Sequence, residues 1–200
     1  MHRTSSTPRA RSRFGSGRLT VQLALCSALL ALLLVPASAR AQNESYNFSV
    51  GLLGGLGGSL DANPGDKLDN AGYQIDLGMV TQPGTHLVAR LGHLGLGSSK
   101  QFGELTNADL TYATIGGEYR YRQSYYDSGV YLALGGYRLS GDDALGRSTN
   151  DTAIGLALGV TGEFDVSRHF SVLVEFSGHY ADLGQAKVFA MGHAGIGYRF

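Results

Sequence analysis

From Tyr46 onward, apolar and non-apolar residues alternate one by one, and the alternation restarts after each polar break. "YNFSVGLL" puts Tyr46, Phe48, Val50 and Leu52 on one face, and "GYQIDLGMV" does the same with Tyr73, Ile75, Leu77 and Met79. Leu87, Ala89 and Leu91 follow in "HLVARLGHLGLG", then Ala113, Ile115, Gly117, Tyr119 and Tyr121 in "TYATIGGEYRY". "GVYLALGGYRL" is apolar on both faces, so the facing of the strand over 129–141 stays open. Further on come Ile154, Leu156, Leu158, Val160, Phe164 and Val166, then Phe170, Val172, Val174, Phe176 and Tyr180. The last set is Ala194, Ile196, Tyr198 and Phe200. A period of two is the signature of a strand, and no 3.6-residue apolar period competes with it after residue 42. The pattern predicts eight strands.

The breaks between strands fall into two classes. Residues 82–85, 123–128 and 167–169 are short turns; 61–70, 98–109 and 142–151 are longer and charged. A fourth connection in the second class, 184–186, is short. Alternating connections of this kind describe an antiparallel up-and-down meander with its short turns at one end. Opposite the apolar faces stand Asp76, Arg90, Glu118, Arg120, Glu163, Glu175 and Arg199. Charges spread over so many strands favour a polar interior and an apolar exterior, the inverse of a soluble carrier barrel. Aromatics then suggest two interfacial girdles. Tyr119, Tyr121, Tyr131, Phe164, Phe170, Tyr198 and Phe200 lie near the short turns, and Tyr73, Phe176 and Tyr180 towards the other end.

The first 41 residues differ in kind. Five arginines and no acid precede an apolar run from Leu19 to Val35, and "PASARAQ" follows. That order is a secretory signal peptide, with cleavage expected before Gln42 after Ala39-Arg40-Ala41, or else after Ala37-Ser38-Ala39. As an uncleaved anchor the run is short against the roughly 20 residues of a membrane span. Residues 42–200 are therefore expected to form one barrel domain. Cys26 is the only cysteine and lies in the leader, so the exported chain has no disulfide and no thiolate metal site. The leader takes six basic residues with it, leaving 10 basic against 16 acidic groups. Without a basic footprint, nucleic-acid binding is excluded. Glycine is abundant, 28 of the remaining 159 residues, and alternates with apolar residues as wall-building glycine would.

These features resemble the small bacterial outer-membrane β-barrels, the OmpA-type transmembrane domain and its OmpX, Ail and opacity-protein relatives. The resemblance covers residues 43–200 and includes the closing "GIGYRF". That segment is similar to the family's C-terminal assembly signal, which implies that Tyr198 and Phe200 are read by the barrel assembly machinery. It implies an all-β, eight-stranded antiparallel transmembrane barrel in the outer membrane, in contact with lipid and lipopolysaccharide, with long loops facing outward. The expected role is structural or surface-interactive, with the surface ligand unidentified.

Two other chemistries have residues in support. The inward charges predict a lumenal ion-pair network, or a narrow gated pore if Glu118 exchanges Arg90 for Arg120. "EFSGH" puts Glu175, Ser177 and His179 on one face, an acid, a nucleophile and a base. This resembles the lipid A deacylase barrels, but the Ser-x-His order is reversed and the face points inward, so no catalytic role is assigned. His86, His93, His169 and His193 lack metal-ligand spacing, and no cofactor or metal is expected. The acidic loops offer carboxylates for divalent cations or for lipopolysaccharide sugars held through them.

Overall fold

The computed structural model describes residues 46–62, 68–97, 105–122 and 126–200. The expected leader, together with Asp66, Lys67, Lys100 and Glu104, lies outside the described residues. Eight strands occur in chain order: β1 (Phe48–Ser59), β2 (Asn70–Gln82), β3 (Thr85–Gly97), β4 (Thr106–Arg122), β5 (Tyr126–Asp142), β6 (Ser148–Asp165), β7 (Phe170–Leu183) and β8 (Ala186–Arg199). Each pairs antiparallel with the next, and β1 pairs with β8 to close the barrel. The predicted up-and-down all-β barrel is the fold observed.

The register sets the shape. Stepping between partners from Thr152 through Arg138, Thr111, His93, Tyr73, Gly54, Ala194 and Val174 returns to β6 at Gly162, ten residues further along. Eight strands with that stagger tilt by about 40° from the barrel axis. Such a barrel is only wide enough for side chains to fill it. Glycines make room for the largest of them. The Tyr112 ring lies over Gly92 and the Tyr131 ring over Gly159, where a Cβ would overlap the ring.

The outward pattern read from the sequence holds on β1 to β4 and β6 to β8, with Leu52, Ile75, Leu91, Ile115, Leu158, Phe176 and Ile196 among the exposed large apolar residues. The open strand also resolves: β5 turns Val130 and Leu134 outward and buries Tyr131, Ala133, Tyr137 and Leu139.

Three girdle or face assignments change. Tyr131 is lumenal, 2% exposed, with the Arg90 guanidinium 3.6 Å above its ring. Tyr46 precedes β1 and folds into the barrel end, where Arg199 sits 4.9 Å from its ring centroid. A cation over an aromatic face is the attraction that draws both rings inward. Phe176 lies mid-wall over Gly192, covering a position without a side chain of its own.

Two expected loops are partly strand. β4 begins at Thr106, and β5 and β6 pair out to Asp142 and Ser148, leaving only 143–147 as the turn. The Ser, Thr and Asn content of 148–152 reads as loop by composition, but ladder pairing with β5 satisfies its backbone groups. β4, β5 and β6 are 17 or 18 residues long, well beyond the roughly 9–11 needed to cross a bilayer.

Beyond β1, the Asp61 carboxylate accepts the backbone N–H groups of Lys187 and Val188 at 3.0 and 3.1 Å and the Ser59 hydroxyl at 3.0 Å. Partial burial works to raise its pKa, but these donors outweigh it and hold the carboxyl below the usual carboxylate range. A depressed acid stabilises the fold above its unfolded pKa and loses that contribution as pH falls through the folded value. Hydrogen-exchange protection of the Lys187 and Val188 amides is thus expected to drop on acidification and to be low at all pH in Asp61→Asn. Equal protection in the variant and the wild type would show that the clamp does not hold this hairpin.

Candidate functional site

The inward side chains divide the lumen into two regions, and the sequence reading anticipated only one. Towards the short turns the interior is a chain of alternating charges. Arg90, 2% exposed, donates Nε to Glu175 at 2.9 Å and Nη2 to Glu118 at 3.3 Å, with Asp76 3.6 Å away. Glu118 also accepts Arg120 Nε at 2.9 Å and the Thr161 hydroxyl at 2.7 Å. Arg120 reaches on to Glu163, which takes the Ser171 hydroxyl at 2.6 Å and Arg199 Nε at 2.8 Å. Arg199 contacts Asp165 at 2.6 Å, and Asp165 meets Arg122 at 3.1 Å. All seven charged residues named from the sequence therefore touch one another in one connected set.

Polar residues that the sequence reading passed over complete this set. Glu175 accepts Gln74 Nε2 at 3.2 Å and the Tyr131 hydroxyl at 2.8 Å, and Gln74 in turn accepts the Tyr112 hydroxyl at 2.6 Å. Strand parity marks Gln74 and Tyr112 as inward, since each is an even number of residues from Asp76 or Glu118; only Tyr131 needed the facing of β5. A cavity of about 30 Å³ lies against Asp76, Arg90, Glu118, Arg120 and Glu175. It has room for one or two water molecules, and Asp76 Oδ1 and Arg90 Nη1 have no protein partner among the described residues.

Towards the long loops the interior turns apolar. Leu94, Leu96, Leu110, Leu139, Leu183, Phe189 and Met191 form one buried cluster, with Tyr112 and Tyr137 on its ionic side and Ala62 packed against it. The expectation of a polar interior is thus corrected for this half. In "HLGLG" and "GGYRLSG" the inward residues Leu94, Leu96, Tyr137 and Leu139 are themselves apolar or aromatic and read in the sequence like residues of the wall.

Between the two regions sit the residues considered for catalysis. His179 Nε2 is 3.0 Å from Ser177 Oγ, and its Nδ1 is 3.0 Å from the Tyr137 hydroxyl. Glu175 does not join them; its oxygens go to Arg90, Gln74 and Tyr131. Ser177 is 7% and His179 2% exposed, between the ionic set and the apolar cluster. His93 faces outward, His193 inward across the ladder from Glu175, and His169 Nδ1 lies 3.0 Å from the Arg199 carbonyl.

At the seam, Phe200 exchanges backbone hydrogen bonds with Phe48 at 3.0 and 3.1 Å, and its ring lies 6.2 Å from Phe48 and 5.9 Å from Tyr198. Loop-end carboxylates are engaged locally: Asp143 binds Arg147 at 2.7 Å, and Asp151 accepts the Gly184 N–H at 2.6 Å.

An apolar outer wall around a filled lumen defines a transmembrane β-barrel. Residues 27–200 match the outer membrane protein beta-barrel domain, and the chain belongs to that family of the outer membrane. No curated protein sequence matches it. Among solved structures it is similar to Neisserial surface protein A, with 13% identity over 78% of this chain and 97% of that one and a TM-score of 0.60. It is also similar to Ail of Yersinia pestis, with 15% identity over 77% and 97% of the two chains and a TM-score of 0.54. For the N-terminal barrel of Pseudomonas aeruginosa OprF the values are 13%, 76%, 97% and 0.53. At these identities the likeness is one of fold.

Proposed function

We propose that this protein is a non-conducting, non-enzymatic barrel that supports the outer membrane through its lipid-facing wall and outward loops. The filled lumen carries this reading: among the described residues an ionic half and an apolar half are stacked along one narrow barrel, with a cavity of about 30 Å³ in the charged region. Gating by a partner change at Glu118 has little to work with, because Glu118 binds Arg90 and Arg120 at once and the apolar cluster lies beyond both. In this reading the chain is exported with cleavage of residues 1–41 and contacts lipopolysaccharide along its wall.

The test is a deletion strain challenged with detergent and with a bulky hydrophobic antibiotic. Increased sensitivity, restored by the full-length gene, is the expected result; unchanged sensitivity to both would refute the role.

The closing strand is proposed to carry the assembly signal. Phe200→Ala should reduce the amount of folded, heat-modifiable protein in outer-membrane fractions several-fold while leaving total synthesis unchanged. Wild-type amounts of folded protein would assign Phe200 to interfacial packing alone.

A further inference from the structure

Arg138 is an arginine on the outer wall, exposed, and among the described residues no hydrogen bond or ion pair holds its guanidinium. A charge on the lipid face costs up to about 2–4 kcal/mol at mid-bilayer and little near the interface. Its neighbours are informative. The outward residues across five strands, Tyr73, His93, Thr111, Arg138 and Thr152, are successive ladder partners. The adjoining set towards the short turns is Ile75, Leu91, Ala113, Gly136 and Ile154.

Between these two rows runs a groove of about 380 Å³, floored by Ala113 and Gly136. The space above Gly136 is empty: a Cβ there would meet nothing within 4 Å. Because the strands tilt, each step from β6 towards β2 descends by roughly 3 Å along the barrel axis. The groove therefore starts at Arg138 and Thr152 near the long-loop end and slopes down to Leu91 and Ile75, deeper in the apolar band. Its upper end offers a guanidinium and the hydroxyls of Thr111 and Thr152, while towards its lower end Ile75 and Leu91 line one side and Tyr73 and His93 the other.

We propose that this groove binds one lipid A molecule, the phosphorylated glucosamine lipid of the outer leaflet. A phosphate sits on Arg138 and one acyl chain follows the groove over Gly136 and Ala113. Among the residues lining the groove the one guanidinium stands at its upper end, and a planar guanidinium is suited to paired contacts with phosphate. The inference rests on the wall being a working surface, and it names the lipid and the residues that select it.

The test is native mass spectrometry of the protein released from mixed vesicles of phosphatidylcholine with lipid A, with dephosphorylated lipid A or with phosphatidylglycerol. Wild type is expected to retain lipid A over the other two. Arg138→Gln should lower that retention about tenfold, as expected for one charge-assisted contact. Gly136→Leu, which fills the groove in open space, should lower it similarly. Both variants should keep heat-modifiable mobility, so that a loss of retention is not a loss of fold. Equal retention by Arg138→Gln, or equal retention of phosphatidylglycerol or dephosphorylated lipid A by wild type, would overturn the proposal. The detergent-sensitivity phenotype of the deletion strain would stand or fall separately.

Discussion

Arg90→Met is expected to destabilise the barrel by about 3–5 kcal/mol, measured by urea unfolding from phospholipid vesicles. The guanidinium is 2% exposed and lies among three carboxylates, Glu175 at 2.9 Å, Glu118 at 3.3 Å and Asp76 at 3.6 Å. Removing one member of a buried ionic set leaves its partners charged, enclosed and uncompensated, and that penalty far exceeds the net worth of the set. Glu118 keeps Arg120 and is expected to suffer least, whereas Glu175 retains only the neutral donors Gln74 and Tyr131. Adding Glu175→Gln to Arg90→Met should therefore recover a large part of the loss. If the single variant unfolds within about 1 kcal/mol of wild type, the charged half of the lumen is not what holds the strands at their register.

Phe189→Ala should produce a loss of similar size from the opposite half. Phe189 is fully buried in the apolar cluster, which also takes leucines from β3, β4, β5 and β7. Truncating a buried phenylalanine removes its packing and leaves a cavity that a closed wall cannot collapse to fill, for about 3–5 kcal/mol. A fully enclosed cavity should remain non-conducting, since Leu110, Leu139 and Leu183 still close the path. Wild-type stability in this variant would mean that the cluster is loosely packed and gives the barrel no core.

The two variants together separate what was legible in the chain from what was not. The wall was legible because lipid imposes one strict rule, apolar at every second residue, and β1 to β4 and β6 to β8 obey it. The charged set was reachable by the same parity, since Asp76, Arg90, Glu118, Glu163 and Glu175 stand opposite an apolar face. β5 defeated the rule, because its inward residues Tyr131, Ala133, Tyr137 and Leu139 are no more polar than the Val130, Leu132 and Leu134 of its outward face. For the same reason the apolar half of the interior went unseen. Aromatic residues misled in another way. Tyr131 and Tyr46 look like interfacial residues in one dimension, and only the positions of Arg90 and Arg199 in three dimensions show why they turn inward. The ends of β5 and β6 were hidden by composition, since Ser148, Asn150 and Thr152 suit a loop as well as a ladder.

Planar-bilayer recording of the purified wild-type protein shows whether the barrel is closed from within by a charged half and an apolar half in series. No unitary conductance above the bare membrane is expected at any voltage the bilayer tolerates. Reproducible single-channel steps from folded, heat-modifiable wild-type protein would contradict it.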